Sequence, residues 1–130
     1  MTGVQTCALP IYPHQGNWKT AKTVHHAWQL NSPVNIIFIT NYYRSTQLPP
    51  VAQWLKFSVD NLILMSFKQS ETSAQSWVMR VYECQGENAV IDWQNQLQLT
   101  IKESIDGLER AIDPIEQISP WQIATWLLKN

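Results

Sequence analysis

Leu62-Ile-Leu-Met-Ser-Phe67 and Trp77-Val-Met-Arg-Val-Tyr-Glu-Cys84, joined by the polar stretch Lys68 to Ser76, decide the fold. The first run is apolar apart from Ser66, the second mixes aromatic and β-branched residues, and the Gln, Ser, Glu and Thr between them belong to a loop. Two such strands and a loop make a hairpin, expected here at the centre of the sandwich. Upstream, Trp54 to Val59 alternates, with Leu55, Phe57 and Val59 on one face and Lys56 and Ser58 on the other; Asp60-Asn61 is a turn. Downstream, Gln85-Gly86-Glu87-Asn88 turns the chain into Ala89 to Trp93, and Leu97, Leu99 and Ile101 then alternate with Gln98, Thr100 and Lys102. Pro114 and Pro120 bracket a last segment that closes with a strand over Trp121 to Leu128. Short strands separated by turn signals predict a mostly β domain, an antiparallel, immunoglobulin-like β-sandwich.

The residues before this domain have a different period. Trp18, Ala21, Val24 and Trp28 recur at helical spacing, which predicts a helix over Trp18 to Leu30 with Asn17 as its N-cap. Asn31-Ser32-Pro33 ends it, because a proline pushes the residue before it out of the α region. Val34 to Thr40 is expected to be a buried strand. The stretch Tyr43 to Pro50, ending in Pro49-Pro50, cannot sit in a sheet centre and is expected to be a linker.

Composition narrows the function classes. The chain has 130 residues, 45% hydrophobic and 15% charged, which suits a folded chain with a real core. Nine basic residues against ten acidic ones leave a formal charge of -1 and no basic run to follow a phosphate backbone or an anionic membrane surface. Nucleic acid and membrane are therefore not expected as partners. The longest apolar run, Val34 to Thr40, is far short of the roughly 20 residues that span a bilayer. Two cysteines, Cys7 and Cys84, make no disulfide framework, and the sequence lacks Asn-X-Ser/Thr; both features point to a cytoplasmic protein.

Candidate chemistry is sparse. His14, His25 and His26 are the only imidazoles, and adjacent His25 and His26 diverge by about a hundred degrees on a helix, without a Cys or carboxylate to complete a face. They read as surface or interface residues. Glu71, Glu83, Glu87, Asp92, Glu103, Asp106, Glu109, Asp113 and Glu116 include no spacing that would place two carboxylates across a scissile bond, and they are expected to be solvated rim charges. No Gly-X-Ser-X-Gly elbow is present, and four glycines are too few for a phosphate-cradling loop. Seven tryptophans are the remaining candidates. Trp54 and Trp93 would serve a sugar-stacking platform if exposed, although packing in a core or domain interface is the more ordinary use of a strand aromatic.

Several stretches in sequence order resemble the C-terminal region of the glycoside hydrolase family 38 α-mannosidases. Tyr12-Pro-His-Gln-Gly-Asn-Trp18 is similar to the family's entry to a helix, with Asn17 where the family has Asp, and Ala27 to Pro33 is similar to the exit. Asn61-Leu-Ile-Leu-Met-Ser-Phe-Lys68 followed by Val78-Met-Arg-Val-Tyr-Glu83 resembles a family hairpin. Ile105 to Glu109 and Pro120-Trp-Gln-Ile-Ala-Thr125 resemble two later segments; Gly107 stands where Leu is usual, which should loosen a strand. Thr2 to Ile11 instead resembles a translated sequencing-adapter read, so residues 1–11 are set apart as an artefactual leader.

The resemblance implies a retaining α-mannosidase whose zinc, nucleophilic Asp and acid/base carboxylate all lie in a preceding catalytic domain. Residues 12–42, with their helix, would close a mutarotase-like β-domain, residues 43–50 would be the linker, and residues 51–130 would form the C-terminal β-sandwich. No catalytic, cofactor-binding or metal-ligating residue is expected in this segment, and its cofactor would be the zinc of the parent enzyme. Its partners would be the N-terminal catalytic and β-domains of the same chain, and mannosides would be met only through that enzyme. The rival expectation is a stand-alone carbohydrate-binding β-sandwich module, which needs two of Trp54, Trp77 and Trp93 coplanar on a solvated face. A self-sufficient enzyme is the third.

Overall fold

The structure, a computed structural model, describes residues 15–36 and 51–130. The leader 1–11, the later part of the strand expected over Val34 to Thr40, and the linker 43–50 lie outside the described residues. The chain divides into two compact units, residues 1–35 and 36–130.

In the first unit the expected helix is broken in two. Asn17 does cap a turn, its Oδ1 accepting from the Thr20 backbone N–H at 2.9 Å and from Thr20 Oγ1 at 3.1 Å. The turn is closed at once, because Lys22 takes a left-handed conformation (φ 50) while Thr23 N–H bonds Trp18 O and Lys22 N–H bonds Lys19 O. This is the Schellman pattern of helix ends, here with a lysine where glycine is usual. Helix α1 (Thr23–Asn31) starts afresh beyond it and ends where Asn31-Ser32-Pro33 predicts. None of its residues is buried, and Trp18 and Trp28 are each 39% exposed. A short helix without packing is marginal in water. Native-state hydrogen exchange should therefore be fast across Thr23–Asn31 and slow in the buried strands described next. Equal protection of the two would contradict this.

In the second unit six strands follow: β1 (Leu55–Phe57), β2 (Leu62–Gln69), β3 (Ser76–Glu83), β4 (Trp93–Asn95), β5 (Thr100–Ser104) and β6 (Ile123–Lys129). They form an antiparallel β-sandwich. One sheet pairs β1 with β4 and the other has the order β2-β3-β6-β5. The expected hairpin is there, Leu62 opposite Glu83 and Gln69 opposite Trp77, with a bulge between Leu64 and Ser66. Of its two strands only β3 is central in the sheet. β2 is an edge strand, and the closing strand β6 lies between β3 and β5. That place explains why Ala124 through Leu128 are all buried.

Period-two alternation sorts the larger sheet's side chains. Leu62, Met79, Val81, Ala124, Trp126 and Leu128 share the inner face, and Phe57 and Trp93 of the smaller sheet pack against them. On the outer face Val78, Ile105 and Leu127 make a second cluster. Each fully buried Leu or Val contributes about 1.5–3 kcal/mol, so the inner cluster dominates stability.

Two expected strands are altered, each because the chain must change sheets. Ala89 bridges to Ile118 while Trp93 pairs with Phe57, so residues 90–92 of the strand expected over Ala89 to Trp93 become a crossover. The strand expected from Leu97 starts only at Thr100. Before it, Gln98 is left-handed (φ 57), and the Asn95 side chain bonds both Leu99 N–H (2.8 Å) and Leu99 O (3.0 Å), standing in for a neighbouring backbone. Gly107 loosens no strand, since it lies in the turn between Ile105 and Ala111, which bridge to each other.

Candidate functional site

The acidic residues divide into rim charges and something different. Glu71, Glu87, Asp92, Asp113 and Glu116 are exposed, as expected. Glu83 is 0% exposed, which overturns the expectation of a solvated charge there. It ends β3 on the inner face, and its carboxylate gathers three loops. Oε1 accepts from Asn61 Nδ2 at 3.1 Å and from Gln85 N–H at 2.9 Å; Oε2 accepts from Gly86 N–H and Trp121 N–H, both at 2.9 Å. Burial alone would raise its pKa, but the backbone donors of Trp121, Gln85, Gly86 and Glu87 outweigh it and hold the carboxyl below its ordinary value.

The turn opposite is shaped to fit. Ser119 to Gln122 turn back on themselves, with Gln122 N–H donating to Ser119 O, and Trp121 is left-handed (φ 63) at a position that such turns usually give to glycine. Its indole lies over Gly86 (φ 73), where an added Cβ would stand 2.6 Å from Trp121 Cζ2 and 2.8 Å from Cε2. Gly86→Ala therefore meets a strained backbone and a clash together. It should lower stability by about 2 kcal/mol or more in urea denaturation, since the left-handed conformation alone costs about 1–2 kcal/mol. A change within error would show that the indole moves aside freely.

Glu109 is the second bound carboxylate, its side chain only 7% exposed. Oε2 accepts from Ser70 Oγ (2.7 Å) and Glu71 N–H (3.0 Å), while Lys68 Nζ lies 3.0 Å from Oε1 and 2.7 Å from Glu71 Oε1. The Ser70 hydroxyl first, then Lys68 and the Glu71 N–H, hold Glu109 below the usual carboxylate range despite partial desolvation. Asp106 is lowered as well, chiefly by the backbone N–H and guanidinium of Arg110. A general acid in glycoside hydrolysis needs the opposite, a carboxyl held protonated by its surroundings. These carboxylates pin loops.

The aromatic candidates are split. Trp54 is 43% and Trp77 37% exposed, whereas Trp93 is half-buried against the inner core. One face of Trp77 is taken by Phe67, stacked at 5.1 Å between centroids and 10° between planes. Residues of the imidazole set fare no better as ligands: His25 and His26 lie in α1, and His14 is outside the described residues. Among the described residues no group of three or more His, Cys, Asp or Glu could hold a metal, so they do not fit a zinc site. Cys84 is a buried free thiol, its pKa pushed up by burial and by the neighbouring Glu83 charge. No helix among the described residues is long and apolar enough to cross a membrane.

Residues 61–126, which span the hairpin, Glu83, Gly86, Trp121 and most of β6, match the family model of the glycosyl hydrolases family 38 C-terminal beta sandwich domain. The chain belongs to this family. No match was found among curated proteins or among solved structures. The match begins at Asn61, which bonds Glu83, and closes at Trp126 within β6, three residues before the β3–β6 pairing ends at Lys129. The segment is a non-catalytic C-terminal β-sandwich domain of a family 38 enzyme. Glu83 carries the structural signature that sequence reasoning missed. Its only trace in the sequence is an acid at a core position of a strand, since Leu62, opposite it, is apolar and buried.

Proposed function

We propose that the chain is the structural C-terminal domain of a retaining, zinc-dependent α-mannosidase, working as a support for catalytic and β-domains that precede it in the same polypeptide. The observation behind this reading is the family match over residues 61–126 together with carboxylates committed to loop-locking bonds. Zinc, nucleophile and acid/base would belong to the preceding domain, and this segment would reach mannosides only through it. A cytoplasmic location fits the single buried thiol of Cys84 among the described residues.

The test is a pair of assays. Purified alone, the chain should release no aryl alcohol from an aryl α-mannoside. Expressed with the coding sequence upstream of Tyr12, it should hydrolyse the same substrate with α-mannose as first product and lose that activity to a zinc chelator. Turnover by the chain alone, or an upstream frame without a second domain, would sink the proposal. A carbohydrate-binding module is the second reading, supported by the half-exposed rings of Trp54 and Trp77. It requires mannose oligomers to change the tryptophan fluorescence saturably, and to stop doing so in Trp54→Ala.

A further inference from the structure

The outer face of the larger sheet has a pocket of about 250 Å³, lined by none of the side chains of the Glu83 and Glu109 networks. Arg80 of β3 and Thr125 of β6 make its floor, Gln122 lines it, Ile105, Ile112 and Ile123 give apolar walls, and Asp106 and Gly107 edge it. Arg80 is only half exposed, and among the described residues its one side-chain bond is from Nε to Thr125 Oγ1 at 3.1 Å. Neither terminal nitrogen has a partner among the described residues. Asp106 does not neutralise it, since Oδ1 accepts from Leu108 N–H and Arg110 N–H, and Oδ2 accepts from the Arg110 guanidinium at 2.8 and 2.7 Å. The Asp106–Arg110 pair is a closed unit, which leaves the pocket a net positive charge at Arg80. Gln122 Oε1 is taken by Ser119 N–H, so its Nε2 is left as a second donor. Above the guanidinium, glycine keeps the space open: a Cβ at Gly107 would stand 3.7 Å from Arg80 Nη2.

We propose that this pocket binds a small carboxylate with a branched apolar body. A guanidinium fork matches a planar carboxylate bidentately, and a charge held on a partly desolvated floor gains most from a charged acceptor. The isoleucine walls suit a hydrocarbon tail, and the volume, just under the range of about 300–1,000 Å³ typical of drug-sized ligands, limits it to a few carbons.

The probe is 4-methylpentanoate, titrated into the full chain and followed by the amide resonances of Arg80, Gly107, Gln122 and Thr125. Saturable shifts at these positions are expected, with affinity at least about tenfold weaker for the neutral 4-methylpentanamide, which has the same shape without the charge. Arg80→Met should abolish binding. Gly107→Leu should abolish it too while leaving Arg80 in place, because the new side chain fills the space over the guanidinium; its backbone is not in the left-handed region, so the fold should persist, as the unchanged resonances of Met79 and Trp126 would show. Equal response to acid and amide, undiminished binding by Gly107→Leu, or no saturable shift at all would overturn the proposal.

Discussion

Glu83→Gln is expected to destabilise the sandwich more than any other isosteric change, by about 3 kcal/mol or more. The substitution keeps shape and volume but swaps one oxygen for an NH₂ group, and neither orientation is harmless. With the amide nitrogen in place of Oε2 it faces the Gly86 and Trp121 N–H groups; in place of Oε1 it faces Asn61 Nδ2 and Gln85 N–H. Donors then oppose donors at two positions inside the protein. Leaving buried groups unsatisfied costs about 1–3 kcal/mol each, and bonds to a charged acceptor are the stronger kind. A loss of about 3 kcal/mol would lower Tm by about 12–24 °C in a domain of this size. A thermal scan of the variant giving a shift of a degree or two would show that the Glu83 network is incidental.

The same carboxylate sets a pH dependence whose sign follows from its lowered pKa. A group with a lower pKa folded than unfolded contributes stability fully above its unfolded value, near the ordinary glutamate 4.5, and loses it as pH falls through the folded value. Asp106 and Glu109 are lowered too, so all three act in one direction in acid. The gap in stability between the natural chain and Glu83→Gln should therefore be widest near neutrality and shrink as pH falls below 4.5. A gap that widens in acid would reverse the assignment.

Val81→Asp should leave the domain unfolded. Val81 is 0% exposed, opposite Leu64 on one side and Ala124 on the other, within the inner cluster. The change gives up about 1.5–3 kcal/mol of apolar burial and adds the several kcal/mol needed to desolvate a charge without a partner. Together these match the whole stability of a typical small domain, about 5–15 kcal/mol. Glu71→Ala is the control: its side chain is 79% exposed in the hairpin loop, and it should be nearly silent in circular dichroism and thermal melting. Were Val81→Asp to melt cooperatively near the natural Tm, β3 would not be a core strand.

What the sequence determined by itself was local. Alternation and apolar runs located β1, the β2–β3 hairpin and the closing strand, and turn residues located Asp60-Asn61 and Gln85 to Asn88. These features depend on neighbours along the chain, and the resemblance of Val78 to Glu83 to family 38 lies in the same local pattern. Three things were decided only by tertiary structure. Lys22 ended a helical turn that spacing alone would continue, because the left-handed state depends on bonds back to Trp18 and Lys19 rather than on residue type. β6 took the sheet centre because its register fits β3 on one side and β5 on the other, which no pattern within β6 records. Glu83 became buried and charged because its acceptors meet donors at Asn61, Gln85, Gly86 and Trp121, of which Asn61 and Trp121 lie far away in sequence. A carboxylate alone predicts a solvated rim, and only folding supplies the N–H groups that make burial of its charge affordable.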